Sequence, residues 1–236
     1  STLPQAFEGK DSLKITFDLS DLKTNSEYLF RVKAANKAGD TISGDVKFST
    51  WIVKDYDGNV YHVIKIGDQC WLQENLKTTH YADGTEIPNV TDDKAWAELT
   101  SPGYCWYNND SELGKIYGGL YNCYTISNSK VFITGYHLPS ADEFTILVNY
   151  LGGLEKATAK IQDASGKYWN LDDPNVQIPT NSSGFTALPA GYRCVNDHVS
   201  YFICLKTHNW LLNSSEGPGT INSIFGIREG LLGIYQ

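Results

Sequence analysis

The sequence lacks most of the marks of a membrane, nucleic-acid-binding or hydrolytic protein. No run of about 18 apolar residues occurs, so no segment is expected to span a membrane. Lys and Arg total 19 against 27 Asp and Glu, they form no cluster, and the formal net charge is −8. The basic footprint of a nucleic-acid partner is therefore missing. No Gly-x-Ser-x-Gly elbow, P-loop or HExxH is present, which removes the common hydrolase, nucleotide and zinc-protease signatures. The five cysteines, Cys70, Cys105, Cys123, Cys194 and Cys204, form no CxxC pair, against zinc-ribbon and thioredoxin-like readings. No catalytic group, metal or cofactor is expected. A signal peptide and an initiator methionine are also missing. The chain reads as a mature segment, with room for a lipid anchor upstream.

Aromatic residues are abundant, with 15 Tyr and 6 Trp. Such side chains serve binding surfaces, and they also build the cores of loop-rich domains. Four motifs stand in fixed order after Trp51: Asp55 to Thr78, Tyr117 to Thr125, Gly135 to Gly153 and Asn181 to Arg193. In the first, Tyr61, Val63 and Ile66 predict a strand after the turn Asp57-Gly58-Asn59. Gly67-Asp68 then predicts a second turn before Cys70-Trp71-Leu72. Asn75 reads as a buried hydrogen-bonding hub, and Cys70 and Cys123 as buried thiols. Thr91-Asp92-Asp93 before Trp96 and Leu99 predicts a short helix capped by Thr91. Ser140 with Glu143 is a capping box, and Phe144, Leu147, Val148 and Leu151 make one apolar stripe that stops at Gly152-Gly153. Capping accounts for Glu143 without catalysis. His137 reads as a core histidine, because no second ligand sits at metal spacing.

The first 50 residues differ in texture. Residues 12–19 alternate as a half-buried strand, residues 27–35 place Tyr28, Phe30, Val32 and Ala34 on one face, and residues 36–40 make a turn before Val46 and Phe48. The spacing of Leu22 and Tyr28 suits a tyrosine corner. With Arg31-Val32, Ala35, Asn36 and Gly39, this stretch resembles the last strands of a fibronectin type III domain. A full sandwich needs about 100 residues, so residues 1–50 are expected to form an incomplete all-β module whose apolar face needs covering. No Gly/Ser-rich linker follows, and a tight junction near Thr50-Trp51 is expected to hold the modules at a preferred angle.

The four motifs together resemble the Fibrobacter succinogenes major paralogous domain, common on the surfaces of Bacteroidetes and Fibrobacteres. The likeness covers about residues 51–215. The segment Gly135 to Phe144 also resembles a motif shared by C-type lectin-like domains and formylglycine-generating enzymes. These resemblances imply an α+β, C-type lectin-like domain over residues 51–236, with short antiparallel sheets, two or three helices and long binding loops. In the family a last strand near Phe-Ser-Val-Arg-Cys pairs near the opening hairpin. Here either Gly226 to Tyr235 replaces it or it is absent.

Candidate sites follow from chemistry and resemblance. Asp173-Pro174-Asn175 resembles the calcium signature of sugar-binding lectins, but its Trp-Asn-Asp partner is absent, so no metal site is expected. Cys194 and Cys204 are the one pair that could match an oxidase, or bridge a hairpin turning at Asn196-Asp197. Tyr104, Trp106 and Tyr107 stand beside Asn108, Asn109 and Asp110. Rings beside amides can stack on sugars and bond hydroxyls. Strand alternation would put Tyr104 and Trp106 on one face and Tyr107 on the other. Asn209 and Asn213 belong to a second candidate surface, Asn209 to Glu216. The expectation is a non-enzymatic, secreted or outer-membrane surface module for adhesion, with a glycan or surface protein as partner. A structural or assembly module and a formylglycine-generating-enzyme-like oxidase stand as alternatives.

Overall fold

The computed structural model describes residues 22, 26–36, 39–127, 130–172, 177–211, 224–228 and 231–235. They divide into two compact units, Ser1–Trp51 and Ile52–Gln236.

The described part of the first unit contains only strands: β1 (Glu27–Phe30), β2 (Lys33–Asn36), β3 (Gly39–Ile42) and β4 (Val46–Ser49). β1 pairs with β4 and β2 with β3, both antiparallel. The ring of Tyr28 stacks on Phe48 at 5.4 Å. The expected continuous strand over 27–35 breaks at Arg31-Val32. There the Ser43 hydroxyl accepts the Val32 N–H at 2.9 Å, so a side chain replaces one rung of the ladder. Leu29, Phe30, Val32, Ile42 and Val46 are exposed. The strand expected over residues 12–19 lies outside the described residues.

The second unit mixes helices with short antiparallel sheets, an α+β arrangement. β5 (Trp51–Lys54), β6 (Val60–Ile66) and β7 (Gln69–Leu72) form one sheet. Ile66 pairs with Gln69 across Gly67-Asp68. Gly67 sits at φ +61°, where the two-residue turn favours glycine. This sheet is covered on both faces. Tyr61, with Val53 and Leu72, belongs to a loop-side cluster with Tyr81, Ile87 and Phe132. Ile64, Ile66 and Trp71 belong to a helix-side cluster with Phe144, Leu147, Ile161, Trp169 and Phe185.

The helices carry their own signals. α1 (Asp93–Ala97) is capped by Asp92, whose side chain accepts the Ala95 N–H. This corrects the expected Thr91 cap by one residue. A strand pair links β8 (Tyr104–Cys105) to β9 (Leu120–Tyr121), with α2 (Ser111–Tyr117) between them and α3 (Cys123–Ile126) after them. α4 (Ala141–Tyr150) starts at the Ser140–Glu143 capping box. All four stripe residues, Phe144, Leu147, Val148 and Leu151, are buried. Each such side chain contributes about 1.5–3 kcal/mol by leaving water. The chain turns at Gly152 and Gly153 into α5 (Leu154–Ile161), and Lys160 Nζ donates to the carbonyl of Leu151 at the end of α4.

β10 (Tyr192–Asn196) and β11 (Val199–Ile203) form a hairpin. Its turn is Asp197-His198, one position later than Asn196-Asp197. β12 (His208–Leu211), β13 (Ile224–Arg228) and β14 (Leu231–Tyr235) form a further sheet. The segment Gly226 to Tyr235 therefore extends β12. Among the described residues it does not pair with the β5–β7 sheet.

Candidate functional site

A cavity of 630 Å³ opens in the second unit. All four sequence motifs meet in its wall: Asp68 to Leu76 from the first, Tyr117 to Tyr121 (all but Gly118) from the second, Gly135 to Pro139 with Glu143 and Phe144 from the third, and Phe185, Ala190 and Gly191 from the fourth. Its aromatic lining includes Trp71, Tyr117, Tyr121, Tyr136, Phe144 and Phe185. Trp71 holds Phe144 at 5.3 Å and Phe185 at 5.6 Å. Its polar lining includes Gln69, Gln73, Glu74, Asn75, His137 and Glu143. Both the volume and the pairing of an apolar wall with a few polar groups lie in the range of small-ligand and peptide sites.

The local sequence positions these groups by hydrogen bonds. Gln69 Nε2 donates to the carbonyl of Glu143 at 3.0 Å, and Gln73 Nε2 to that of Gly184 at 2.9 Å. Asn75 Nδ2 donates to the Tyr117 carbonyl at 2.8 Å. Asn75 is thus half-buried and bonded, at the cavity and not deep in the core. Close to it the chain passes Gly118, where an added Cβ would meet the Leu76 carbonyl oxygen at 2.6 Å. Gln69 Oε1 and Trp71 Nε1 are buried without a partner. Both are groups that water or a ligand normally satisfies.

Glu143 lies 2.9 Å from His137 Nε2. The Ser140 N–H, first, and His137 hold its carboxyl below the usual range, against the opposing effect of burial. His137 itself is 68% exposed. It is not the expected core histidine, because the bond to Glu143 keeps the imidazole at the helix start, outside the packed stripe. Cys70 is exposed, which corrects the expected buried thiol: strand alternation aims it away from Trp71. No bond joins Cys70 to His137. Burial raises the hydroxyls of Tyr117, Tyr121 and Tyr136 above the ordinary tyrosine value.

Among the described residues, none of the sequence-predicted ones is in the cavity lining. Tyr104 and Tyr107 are buried at 6% and 8% exposure. Tyr104 packs edge-on against Trp106 at 5.0 Å, and Tyr107 against Phe202 at 5.3 Å. The expected alternation ends early, because β8 stops at Cys105 and a 3-10 turn over Tyr107–Asn109 follows. Trp106 is half-buried over Gly114, where a Cβ would come within 2.4 Å of the ring. Asn108, Asn109 and Asp110 are exposed. Asn109 Nδ2 donates to the Thr91 carbonyl at 3.0 Å, and Asp110 caps α2 by accepting the Glu112 N–H at 2.8 Å. That region therefore presents amides and one carboxylate, with Tyr104 and Tyr107 turned inward. Asn209 lies in β12 opposite Ile227. Asn213, and the Asp173-Pro174-Asn175 segment, lie outside the described residues. Cys194 and Cys204 are free thiols. Cys194 stands opposite Tyr201, and Cys204 lies past Ile203, so the ladder does not pair them. Burial, chiefly, and then the nearby thiols Cys204 and Cys194 push the Tyr192 hydroxyl up to about 12.

Sequence reasoning missed the cavity because wall residues such as Trp71, Asn75, Glu143 and Phe144 already have an architectural role in their own motifs. The recurring Gln, Glu and Asn over 69–75, around Trp71, were the available signal.

The fold and cavity define an α+β module whose motif residues enclose one aromatic, amide-lined recess. The chain belongs to the Fibrobacter succinogenes major domain family, whose model matches residues 64–225. No curated protein and no solved structure matches it. No described helix is long and apolar enough to cross a membrane.

Proposed function

We propose that this chain is a non-enzymatic binding module of a bacterial secreted or surface-anchored protein, serving adhesion to a glycan or a surface protein. The observation that carries the reading is the 630 Å³ cavity lined by aromatic rings together with amides and carboxylates. Aromatic faces and side-chain amides bind sugars and peptides alike, and neither needs a nucleophile or metal. The finer fold reading is C-type lectin-like: α4 and α5 lie against short antiparallel sheets, and long segments connect them. The strands of the first unit fit a partial fibronectin type III-like module, which extracellular proteins commonly use as a spacer.

A glycan-array screen with and without EDTA tests the ligand class. Hits that survive EDTA and weaken about tenfold on Trp71→Ala support a metal-independent aromatic site. A screen with no hit under either condition refutes the glycan half and leaves a protein ligand.

A further inference from the structure

The open side of β7 specifies the shape of an occupant. β7 ends its sheet, in the order β5–β6–β7. The cavity wall takes every residue from Asp68 to Leu76 and none from β5 or β6. It therefore lies on the side of β7 away from β6. Ile66 and Gln69 close the two-residue turn as a bonded pair. Alternation then turns the N–H and C=O of Cys70 and Leu72 toward the open side. No described backbone group bonds to either.

An ordinary edge strand faces solvent. Here side chains from both faces of β7 are packed, Trp71 in the helix-side cluster and Leu72 in the loop-side cluster, and Cys70 alone in the strand is exposed. A packed strand with unpaired ladder groups facing a cavity leaves a lane for one more strand, about 4.8 Å away. The lane ends where the Gly119 N–H meets the Leu76 carbonyl at 2.7 Å. Its formal charge is one-sided: Asp68, Glu74 and Glu143 line the wall and no Lys or Arg does, with the Glu74 carboxylate bonded to His62 in β6 and that of Glu143 to Ser140 and His137. A second copy of this chain, with net charge −8, is poorly matched to that rim.

We propose that the β7 lane accepts an extended segment of a partner polypeptide as an added strand. The segment carries apolar side chains at alternate positions and Lys or Arg at its flanks. This inference rests on the binding reading above and names the partner class. One set of side chains enters toward Trp71, Phe144 and Phe185, and the other toward Leu76, Phe132 and Ile133. Main-chain bonds to Cys70 and Leu72 supply affinity, and the two clusters supply selectivity.

The test uses an array of synthetic peptides, apolar at alternate positions, in matched sets flanked by Lys or by Glu. The full chain should bind members of the Lys set about tenfold more tightly than their Glu counterparts. Bound peptide should slow amide exchange at Cys70 and Leu72 by about tenfold or more. Cys70→Pro removes an outward N–H without touching the β6–β7 ladder, and should weaken binding about tenfold. Cys70→Ser keeps that N–H and should bind like the parent. No binding by any peptide, unchanged exchange at both amides, or full binding by Cys70→Pro would each overturn the proposal. Concentration-dependent dimerisation that protects the same amides without peptide would put a second copy in the lane and overturn the partner assignment. Silent peptides with a positive glycan screen would sink the strand lane alone. Silence in both would sink the binding reading with it.

Discussion

Arg193 shows how one side chain can join separate pieces of chain. Its guanidinium is fully buried and donates to the carbonyls of Val90 and Thr91, to Asp93 and to Ser200. It also lies over the rings of Trp96 and Phe202, at 4.8 and 4.7 Å. Arg193→Ala strands these acceptors and should cost about 2–4 kcal/mol of unfolding free energy. Arg193→Lys should recover little, since an ammonium cannot reproduce the planar fork. Urea unfolding of the two variants checks this, and a loss within error of zero for either would contradict the assigned role. Thiol chemistry gives a second prediction at this scale. Burial pushes the Cys105 thiol up to about 11, while Cys70 is exposed. At neutral pH a thiol reagent should label Cys70 within the native protein and leave Cys105 until unfolding. Equal labelling rates would refute the placement. Neither role was legible in sequence: Arg193 and Cys70 each sat in a motif, but their partners lie far along the chain or depend on strand register.

The elements divide by how local their causes are. α4 was fully legible, because its cap, stripe and glycine stop are all written within fourteen consecutive residues, 140–153. Its start also carries a pH dependence. The folded pKa of Glu143 is depressed, so its stabilisation is present above the unfolded pKa and lost as pH falls through the folded one. Glu143→Gln should therefore cost about 0.5–1 kcal/mol at pH 7 and less at pH 3. Equal costs at both values would show that the charge is irrelevant. The β6–β7 hairpin was legible from alternation and Gly67-Asp68. The Tyr104 to Asp110 stretch was not. Its aromatic run reads equally as strand or surface, and only the early 3-10 turn and Gly114 decide that most of the rings point inward.

At the scale of the whole molecule the two units differ in what they bury. The first unit exposes large apolar side chains such as Leu29 at 60% and Ile42 at 57%, whereas Tyr61 and Val63 in β6 are at 0% and 2%. Stability follows buried apolar area, so amides of β1 to β4 should exchange at least about tenfold faster than those of β6. Matching protection in native-state exchange would contradict that difference. The four motifs by themselves determined the family, the α4 helix and the opening hairpin. Those properties depend on residue type and short spacing. The cavity, the open β7 edge, the inward turn of Tyr104 and Tyr107 and the exposed His137 were decided only by tertiary structure. Each arises where segments far apart in sequence meet, and short-range periodicity carries no record of which segments those are.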